Sequence, residues 1–79
     1  MLAFPNFDHP FVVECDACER GIGAVLMQHG KPIAYHSQAL KVKNLALSTY
    51  EKELLAIVTA VKRWRAYLVD KPFTIKIDQ

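Results

Sequence analysis

The sequence predicts one α/β domain with the element order β-β-β-α-β and a mixed sheet. Three observations support this fold class: a β-rich first half, one long stretch with helical periodicity, and a last segment that alternates apolar and polar residues. The chain has 79 residues, of which 52% are apolar, so residues 1–79 suit a single small domain. Domains near this size bury only about 60% of their unfolded surface, so any missing segment of the fold is costly.

The first half of the chain predicts a three-stranded meander over residues 11–40, after an irregular lead-in over residues 1–10. Residues 11–16 are dense in β-branched and aromatic side chains, which favours a strand. Residues 23–28 are a continuous apolar run, typical of a strand buried on both faces. A turn containing Gly30 then leads into a third strand over residues 33–40.

A single long helix is predicted over residues 48–69. Ser48 followed three residues later by Glu51 is a capping-box pattern. Apolar residues with helical spacing form one stripe that is expected to lie on the sheet: Ala56, Ile57, Ala60, Val61, Trp64, Tyr67 and Leu68. Glu53 heads this stripe and is expected to face the sheet, whereas Glu51 lies about 200° away around the helix and belongs to the cap.

The last segment, residues 73–78, predicts a fourth strand. Phe73, Ile75 and Ile77 alternate with polar residues, which indicates a half-buried strand that ends at Asp78. A strand, a helical crossover and another strand favour a parallel, right-handed return beside the first strand. Asp16, Asp78 and the start of the helix are then expected at the same edge of the sheet.

Three carboxylates from distant parts of the sequence therefore converge in this topology: Asp16, Glu53 and Asp78. Carboxylates this close repel one another unless a multivalent cation neutralises them, and oxygen-only ligands suit Mg²⁺ or Mn²⁺. The ordinary alternative remains open at this point: Asp16 is a turn residue and Glu53 complements the helix dipole.

Composition narrows the classes of protein without selecting one. Ten Lys and Arg against eight Asp and Glu give a net charge of +2, too small a surplus to indicate nucleic-acid binding by itself. The sequence has no apolar run of about 18 residues and no signal-peptide pattern, so we expect an intracellular location and no membrane partner.

Several smaller patterns have ordinary explanations. Cys15 and Cys18 form a C-x-x-C spacing, but side chains three residues apart near a strand point to opposite faces, and no further ligand pair accompanies them. Zinc and redox roles are therefore disfavoured. The basic residues around Trp64 are expected to form a solvated face, with phosphate contact as the alternative: Lys62, Arg63 and Arg65. The three histidines, His9, His29 and His36, are expected at the surface or at the edge of the core.

Four segments, in this order and spacing, closely resemble the ribonuclease H domain of gypsy-type long-terminal-repeat retrotransposon polyproteins, where it follows reverse transcriptase. They are FVVECDACERGIGAVLMQ, GKPIAYHSQAL, LALSTYEKELLAIVTAVKRWRAYL and FTIKIDQ. The resemblance implies a ribonuclease H-like fold, a partner in the remainder of the reverse transcriptase polyprotein, and metal-dependent cleavage of the RNA strand of RNA–DNA hybrids with two Mg²⁺ ions, or Mn²⁺ in their place.

The resemblance carries over residue by residue at three positions. The D-A-S motif of the family falls on residues 16–18 and makes Asp16 the first metal ligand. The K-E-L-L-A motif makes Glu53 the second, and the strand that ends in T-D-H in the family makes Asp78 the third. Cys18 stands where the family has Ser, and Gln79 where it often has His, so the contacts beside these ligands differ.

The family's active site also uses a fourth Asp, which lies beyond the third ligand, and this chain ends at Gln79. We therefore expect an incomplete ribonuclease H-like fold with little or no cleavage activity in isolation. Two other classes of function stay open: a catalytically silent ribonuclease H-like module that supports a polymerase, and a small nucleic-acid or protein binding domain. Neither of these predicts carboxylate-dependent metal affinity.

Overall fold

The computed structural model describes residues 2–77, and it confirms the predicted order of elements. Three strands come first, β1 (Val12–Ala17), β2 (Gly21–Gln28) and β3 (Lys31–Ala39). A short 3₁₀ helix, Val42–Asn44, leads to the helices α1 (Thr49–Arg63) and α2 (Arg65–Leu68), and the strand β4 (Thr74–Ile77) follows. The lead-in has no strand or helix over residues 2–10.

The four strands form one mixed sheet in the order β3-β2-β1-β4. β1 pairs with β2 and β2 with β3 in antiparallel fashion, whereas β1 and β4 are parallel. The chain passes from β3 to β4 through α1 and α2, and β4 returns parallel to β1, as predicted. β1 therefore lies between β2, from the first half of the chain, and β4, from the end of the second half.

The turn between β2 and β3 consists of two residues, His29 and Gly30. Both have positive φ, 55° and 73°, which the mirror-image two-residue hairpin turn requires. Gly30 adopts this conformation without steric cost, whereas a histidine does so less readily. The turn is shorter than the gap of residues 29–32 between the predicted second and third strands, because Lys31 already pairs with Gln28.

Helix α1 packs on one face of the sheet, against β1 and β2. The buried apolar side chains form a single core between the two layers: Phe11, Val13, Cys15, Ile22, Ala24, Leu26, Ile33, Leu40, Ala56, Ala60, Trp64 and Leu68. The predicted helical stripe is confirmed, since its seven members are buried or half-buried.

Two predictions about burial are wrong. β2 is not buried on both faces: alternate residues are buried under α1, and the others are only half-buried. β4 is not half-buried, because all four of its residues are exposed, including Ile75 at 36% and Ile77 at 39%. Among residues 2–77, α1 covers only one face of the sheet, which leaves the other face of β2 partly open. Helix α1 lies over β1 and β2 rather than β4, which leaves β4 exposed.

The predicted single helix over residues 48–69 is divided at Trp64. This residue has φ −106° and ψ 26°, outside the helical region, and it separates α1 from α2. The indole of Trp64 and the side chain of Leu68 in the following turn are both only 4% exposed. Both side chains therefore lie in the core on either side of this interruption. No helix within the described range is long and apolar enough to cross a membrane.

Candidate metal centre

Asp16 lies in β1, one residue before the strand ends, and is paired with Gly23 of β2. Its neighbour Cys15 is buried under α1, so strand alternation places Asp16 on the opposite, uncovered face of the sheet. The Asp16 side chain is exposed. The prediction that this carboxylate lies at the carboxyl end of the first strand is confirmed.

Glu53 lies in the second turn of α1 and is half-buried. The first turn of α1 lies against the end of β1 and the turn after it, where Ala17, Cys18, Glu19, Thr49 and Lys52 line a small cavity of about 220 Å³. The start of α1 and the carboxyl end of β1 are therefore at the same edge of the sheet, as the topology predicted. Asp16 lies at this edge in the sheet, and Glu53 lies in α1, one residue after Lys52.

Lys52, rather than Glu53, heads the most buried row of α1. Only 7% of Lys52 is exposed, and it precedes Ala56, Ala60 and Trp64 at intervals of four. Its Nζ donates a hydrogen bond to the main-chain oxygen of Glu19 at 2.7 Å. Glu53 lies one position further along and is half-buried, like Ile57 and Val61, which follow it at intervals of four, so Lys52 is the more buried of the two neighbours.

Glu51 belongs to the helix cap, as predicted. The main-chain N–H of Ser48 donates to its Oε1 at 2.9 Å, and its own N–H donates to Ser48 Oγ at 3.1 Å. These hydrogen bonds from the Ser48 main chain and side chain lower the pKa of the Glu51 carboxyl. A carboxylate engaged in this way is a poor candidate for a metal ligand.

Asp78 lies outside the described residues. The last described pair of the parallel ladder joins Cys15 of β1 to Ile77 of β4. In the sequence, Asp16 directly follows Cys15 and Asp78 directly follows Ile77. Within residues 2–77, no group of three or more His, Cys, Asp and Glu side chains is placed to hold a metal ion.

The chemistry of the predicted ligands suits a hard cation. All three are carboxylates, and such oxygen ligands are those that Mg²⁺ and Mn²⁺ prefer. In the described part of the chain neither Asp16 nor Glu53 forms an ion pair, since the pair found there joins Lys71 to Asp8 at 3.9 Å. Asp16 and Glu53 therefore have no cationic side chain of residues 2–77 in contact that would compete with a metal ion.

Two open grooves meet at Asp16 on the uncovered face of the sheet. The larger has a volume of about 620 Å³ and is lined in part by Glu14, Tyr35 and Ser37. The other, of about 570 Å³, extends toward Arg20. Asp16 is thus at the floor of a broad, accessible surface, and sequence patterns alone did not indicate this surface.

The remaining sequence motifs have the structures expected of them. Cys15 is buried and Cys18 exposed, both as free thiols, and burial raises the pKa of Cys15. Lys62, Arg63 and Arg65 are exposed, whereas Trp64 between them is in the core.

The order β3-β2-β1-β4, with α1 packed on one face of the sheet, defines an α/β domain of the ribonuclease H-like type, and comparison with known proteins agrees. A family model described as "RNase H-like domain found in reverse transcriptase" matches residues 1–75. The chain therefore belongs to the family of RNase H-like domains found in reverse transcriptases, which confirms the resemblance inferred from the sequence.

Curated relatives from Drosophila melanogaster support the same assignment. The chain is 45% identical over 78 residues to the retrovirus-related Pol polyprotein from transposon 297, a match that covers 99% of this chain and 7% of the relative. It is 44% identical over 68 residues to the corresponding polyprotein from transposon gypsy, covering 86% of this chain and 7% of the relative. The chain thus spans about 7% of the length of these polyproteins.

Solved structures show the fold. The foamy viral protease-reverse transcriptase in complex with double-stranded DNA matches with a TM-score of 0.88 at 23% identity, over 96% of this chain and 16% of that chain. The same viral protein in complex with an RNA/DNA hybrid also matches with a TM-score of 0.88 at 23% identity, over 96% of this chain and 11% of that chain. The ribonuclease H-like fold predicted from the sequence is confirmed.

Proposed function

We propose that this chain takes part in the metal-dependent hydrolysis of the RNA strand of RNA–DNA hybrids, as part of a reverse transcriptase polyprotein. The observation that carries the proposal is the parallel pairing of β1 with β4 up to Cys15 and Ile77. The residues that follow each of these are Asp16 and Asp78. The first turn of α1, at Thr49 and Lys52, lies against the end of β1, and Glu53 follows Lys52, which supports Glu53 as the third member of the proposed set.

Asp16, Glu53 and Asp78 are proposed to hold Mg²⁺, with Mn²⁺ as a substitute. The chemistry that such ions would supply, if held by these carboxylates, is activation of a water molecule and stabilisation of the departing oxygen of a phosphodiester. Among the described residues, Asp16 is supplied by a strand and Glu53 by a helix, and the packing of α1 on the sheet sets the relative positions of these two elements.

The uncovered sheet face is proposed to contact the nucleic acid. The grooves around Asp16 are open and shallow, which suits a substrate that is recognised by its backbone and overall shape. Arg20 supplies an exposed guanidinium near Asp16 for a phosphate group. A structural relative was solved with an RNA/DNA hybrid, which supports a hybrid as the substrate class for this chain.

The test is cleavage of a labelled RNA–DNA hybrid in Mg²⁺ by the reverse transcriptase polyprotein that contains this chain. We expect Asp16→Asn to abolish cleavage. Asp70→Asn is the matched control, because it removes the same charge, and asparagine tolerates the positive φ of 77° at that position. Full activity of the Asp16→Asn variant would contradict the proposal. For the 79-residue chain alone we expect little or no cleavage.

A second function is favoured by the exposed edge strand. Ile75 and Ile77 of β4 are apolar and solvent-exposed, on a strand with one unpaired edge among the described residues. Such a strand suits a structural ribonuclease H-like module that packs against another part of a polymerase. This alternative predicts that the chain has no divalent-metal affinity that depends on Asp16 or Glu53.

A further inference from the structure

Two histidines from distant parts of the sequence lie in contact at the end of the sheet opposite Asp16. His9 is in the lead-in, and His29 is the first residue of the turn between β2 and β3. Nδ1 of His9 and Nε2 of His29 are 2.8 Å apart. The two rings are nearly perpendicular, at 85°, with centroids 4.7 Å apart. Both side chains are exposed, so their ring nitrogens are accessible from solvent.

The main chain around this pair is held by a buried side chain. Gln28, next to His29 and only 3% exposed, accepts a hydrogen bond from the N–H of Asn6 at 2.7 Å. Its amide group donates to the main-chain oxygens of Asn6 and His9, at 2.7 Å and 3.0 Å. The lead-in is therefore attached to the strand end on which His29 sits. The proximity of the rings follows from a fixed backbone rather than from two free surface side chains.

We propose that His9 and His29 form a binding site for a transition-metal ion of the zinc type, separate from the carboxylate centre. Imidazole nitrogens suit Zn²⁺, Ni²⁺ and Cu²⁺, whereas Mg²⁺ prefers oxygen ligands. Two nitrogens bound to one tetrahedral zinc ion at about 2.0–2.1 Å are separated by roughly 3.3 Å. The present separation of 2.8 Å needs to increase by only about half an ångström, which exposed rings accommodate by small rotations.

The proton balance of this binding is simple. In the hydrogen-bonded pair one ring donates its N–H and the other accepts with its lone pair. Metal binding requires lone pairs on both facing nitrogens, so the donor ring moves its proton to its other nitrogen. Two neutral imidazoles then bind the ion, water completes the coordination, and no proton is released. Binding at this site also links the lead-in to the hairpin turn, so it stabilises the folded chain by mass action.

The charged groups near the pair leave the site open. Asp8 precedes His9, but its side chain is 94% exposed and lies 3.9 Å from Lys71. The third histidine, His36, lies elsewhere on β3, where its Nε2 is 2.8 Å from Oε1 of Gln38. His36 therefore provides a control of the same residue type that lacks a neighbouring imidazole.

The experiment is a calorimetric titration of the 79-residue chain with zinc chloride, at a pH about one unit above the usual histidine pKa of about 6.5. The parent chain and all variants carry Cys18→Ser, because an exposed thiol is itself a zinc ligand. His9→Gln and His29→Asn each remove one proposed ligand, and asparagine tolerates the φ of 55° at residue 29. His36→Gln is the control.

We expect one zinc ion per chain, an affinity at least about tenfold weaker in His9→Gln and in His29→Asn, and an unchanged affinity in His36→Gln. Zinc is also expected to shift the ring-proton resonances of His9 and His29 in the parent chain, a measurement that needs no ligand variant. The proposal is overturned if the parent chain does not bind zinc, if the His36 variant loses affinity equally, or if both ligand variants bind like the parent. Asp16→Asn should leave zinc binding intact, so this result is independent of the carboxylate centre.

Discussion

The amino group of Lys52 in the first turn of α1 donates a 2.7 Å hydrogen bond to the main-chain oxygen of Glu19, 33 residues earlier in the sequence. This contact joins the start of α1 to the turn between β1 and β2. The turn is held from its other side by the N–H of Leu40, which donates to the oxygen of Arg20 at 2.8 Å. The segment that follows Asp16 is therefore fixed against both the helix and the end of β3.

Replacement of Lys52 by methionine tests this contact. Methionine keeps the unbranched stem of the side chain but leaves the Glu19 oxygen without its donor, while the cost of burying a charge is also removed. We expect the free energy of unfolding to fall by about 1 kcal/mol. Faster hydrogen exchange of the amides of residues 18–20 should accompany this loss. Lys62→Met, an exposed position of the same helix, should change stability by less than about 0.5 kcal/mol. Equal effects of the two variants would show that the Lys52 contact does not fix the turn.

The capping box predicts how stability depends on acid. Ser48→Ala should lower the free energy of unfolding by about 1 kcal/mol because it removes the side-chain acceptor of the Glu51 N–H.

The pKa of Glu51 is lower in the folded chain, so its ionised form stabilises the fold above the ordinary glutamate pKa of about 4.3. That contribution is lost as the pH falls through the lowered folded value. Denaturation measured from neutral to acid pH should therefore show a smaller loss of stability for Glu51→Gln than for the parent chain. Glu19→Gln, at another exposed glutamate, is the control, and a profile altered equally by both variants would contradict the role of the cap.

The two cysteines should react at very different rates. Cys15 is 1% exposed, and burial raises its pKa, so its thiolate is scarce and inaccessible. Cys18 is exposed. Alkylation with iodoacetamide followed by mass spectrometry should therefore show modification of Cys18 in the native chain and of Cys15 only after denaturant is added. Similar native rates at both positions would contradict the assigned burial of Cys15.

Gly23 offers a way to block the face around Asp16 without disturbing the fold. A Cβ built at this position would lie 3.5 Å from the main-chain oxygen of His36 and 3.8 Å from the Cβ of Ser37, which are ordinary contacts. Valine is favoured in strands, and directly paired side chains lie within about 5.5 Å of one another. Gly23→Val should keep the circular dichroism spectrum of the parent and weaken Mn²⁺ binding severalfold, because the new methyl groups crowd Asp16. Unchanged Mn²⁺ affinity in a folded variant would argue against Asp16 as a ligand.

The sequence predicted those features that depend on neighbouring residues. The capping box is specified by Ser48 and Glu51 alone, and the stripe from Ala56 to Leu68 follows from helical spacing. The β-β-β-α-β order and the parallel return also follow, because crossover connections have few topological solutions.

The features that sequence reasoning missed depend on contacts between distant residues. The exposure of Ile75 follows from where α1 lies across the sheet, which local alternation does not report. The role of Lys52 depends on the main-chain oxygen of Glu19, which is 33 residues away in sequence. The contact between His9 and His29 depends on the hydrogen bonds that Gln28 forms with the lead-in. The placement of Asp16 and the start of α1 at one edge was predicted, whereas the open grooves around Asp16 require the whole sheet.

The most direct test of the central claim is a calorimetric titration of the chain with Mn²⁺, comparing Asp16→Asn, Glu53→Gln and Asp78→Asn with the control Asp70→Asn. Shared carboxylate ligation predicts that each of the first three variants loses most of the affinity of the parent, and that the control binds like the parent. Mn²⁺ affinity that is the same in all four variants, or absent from the parent chain, would contradict the claim that these three carboxylates form one metal centre.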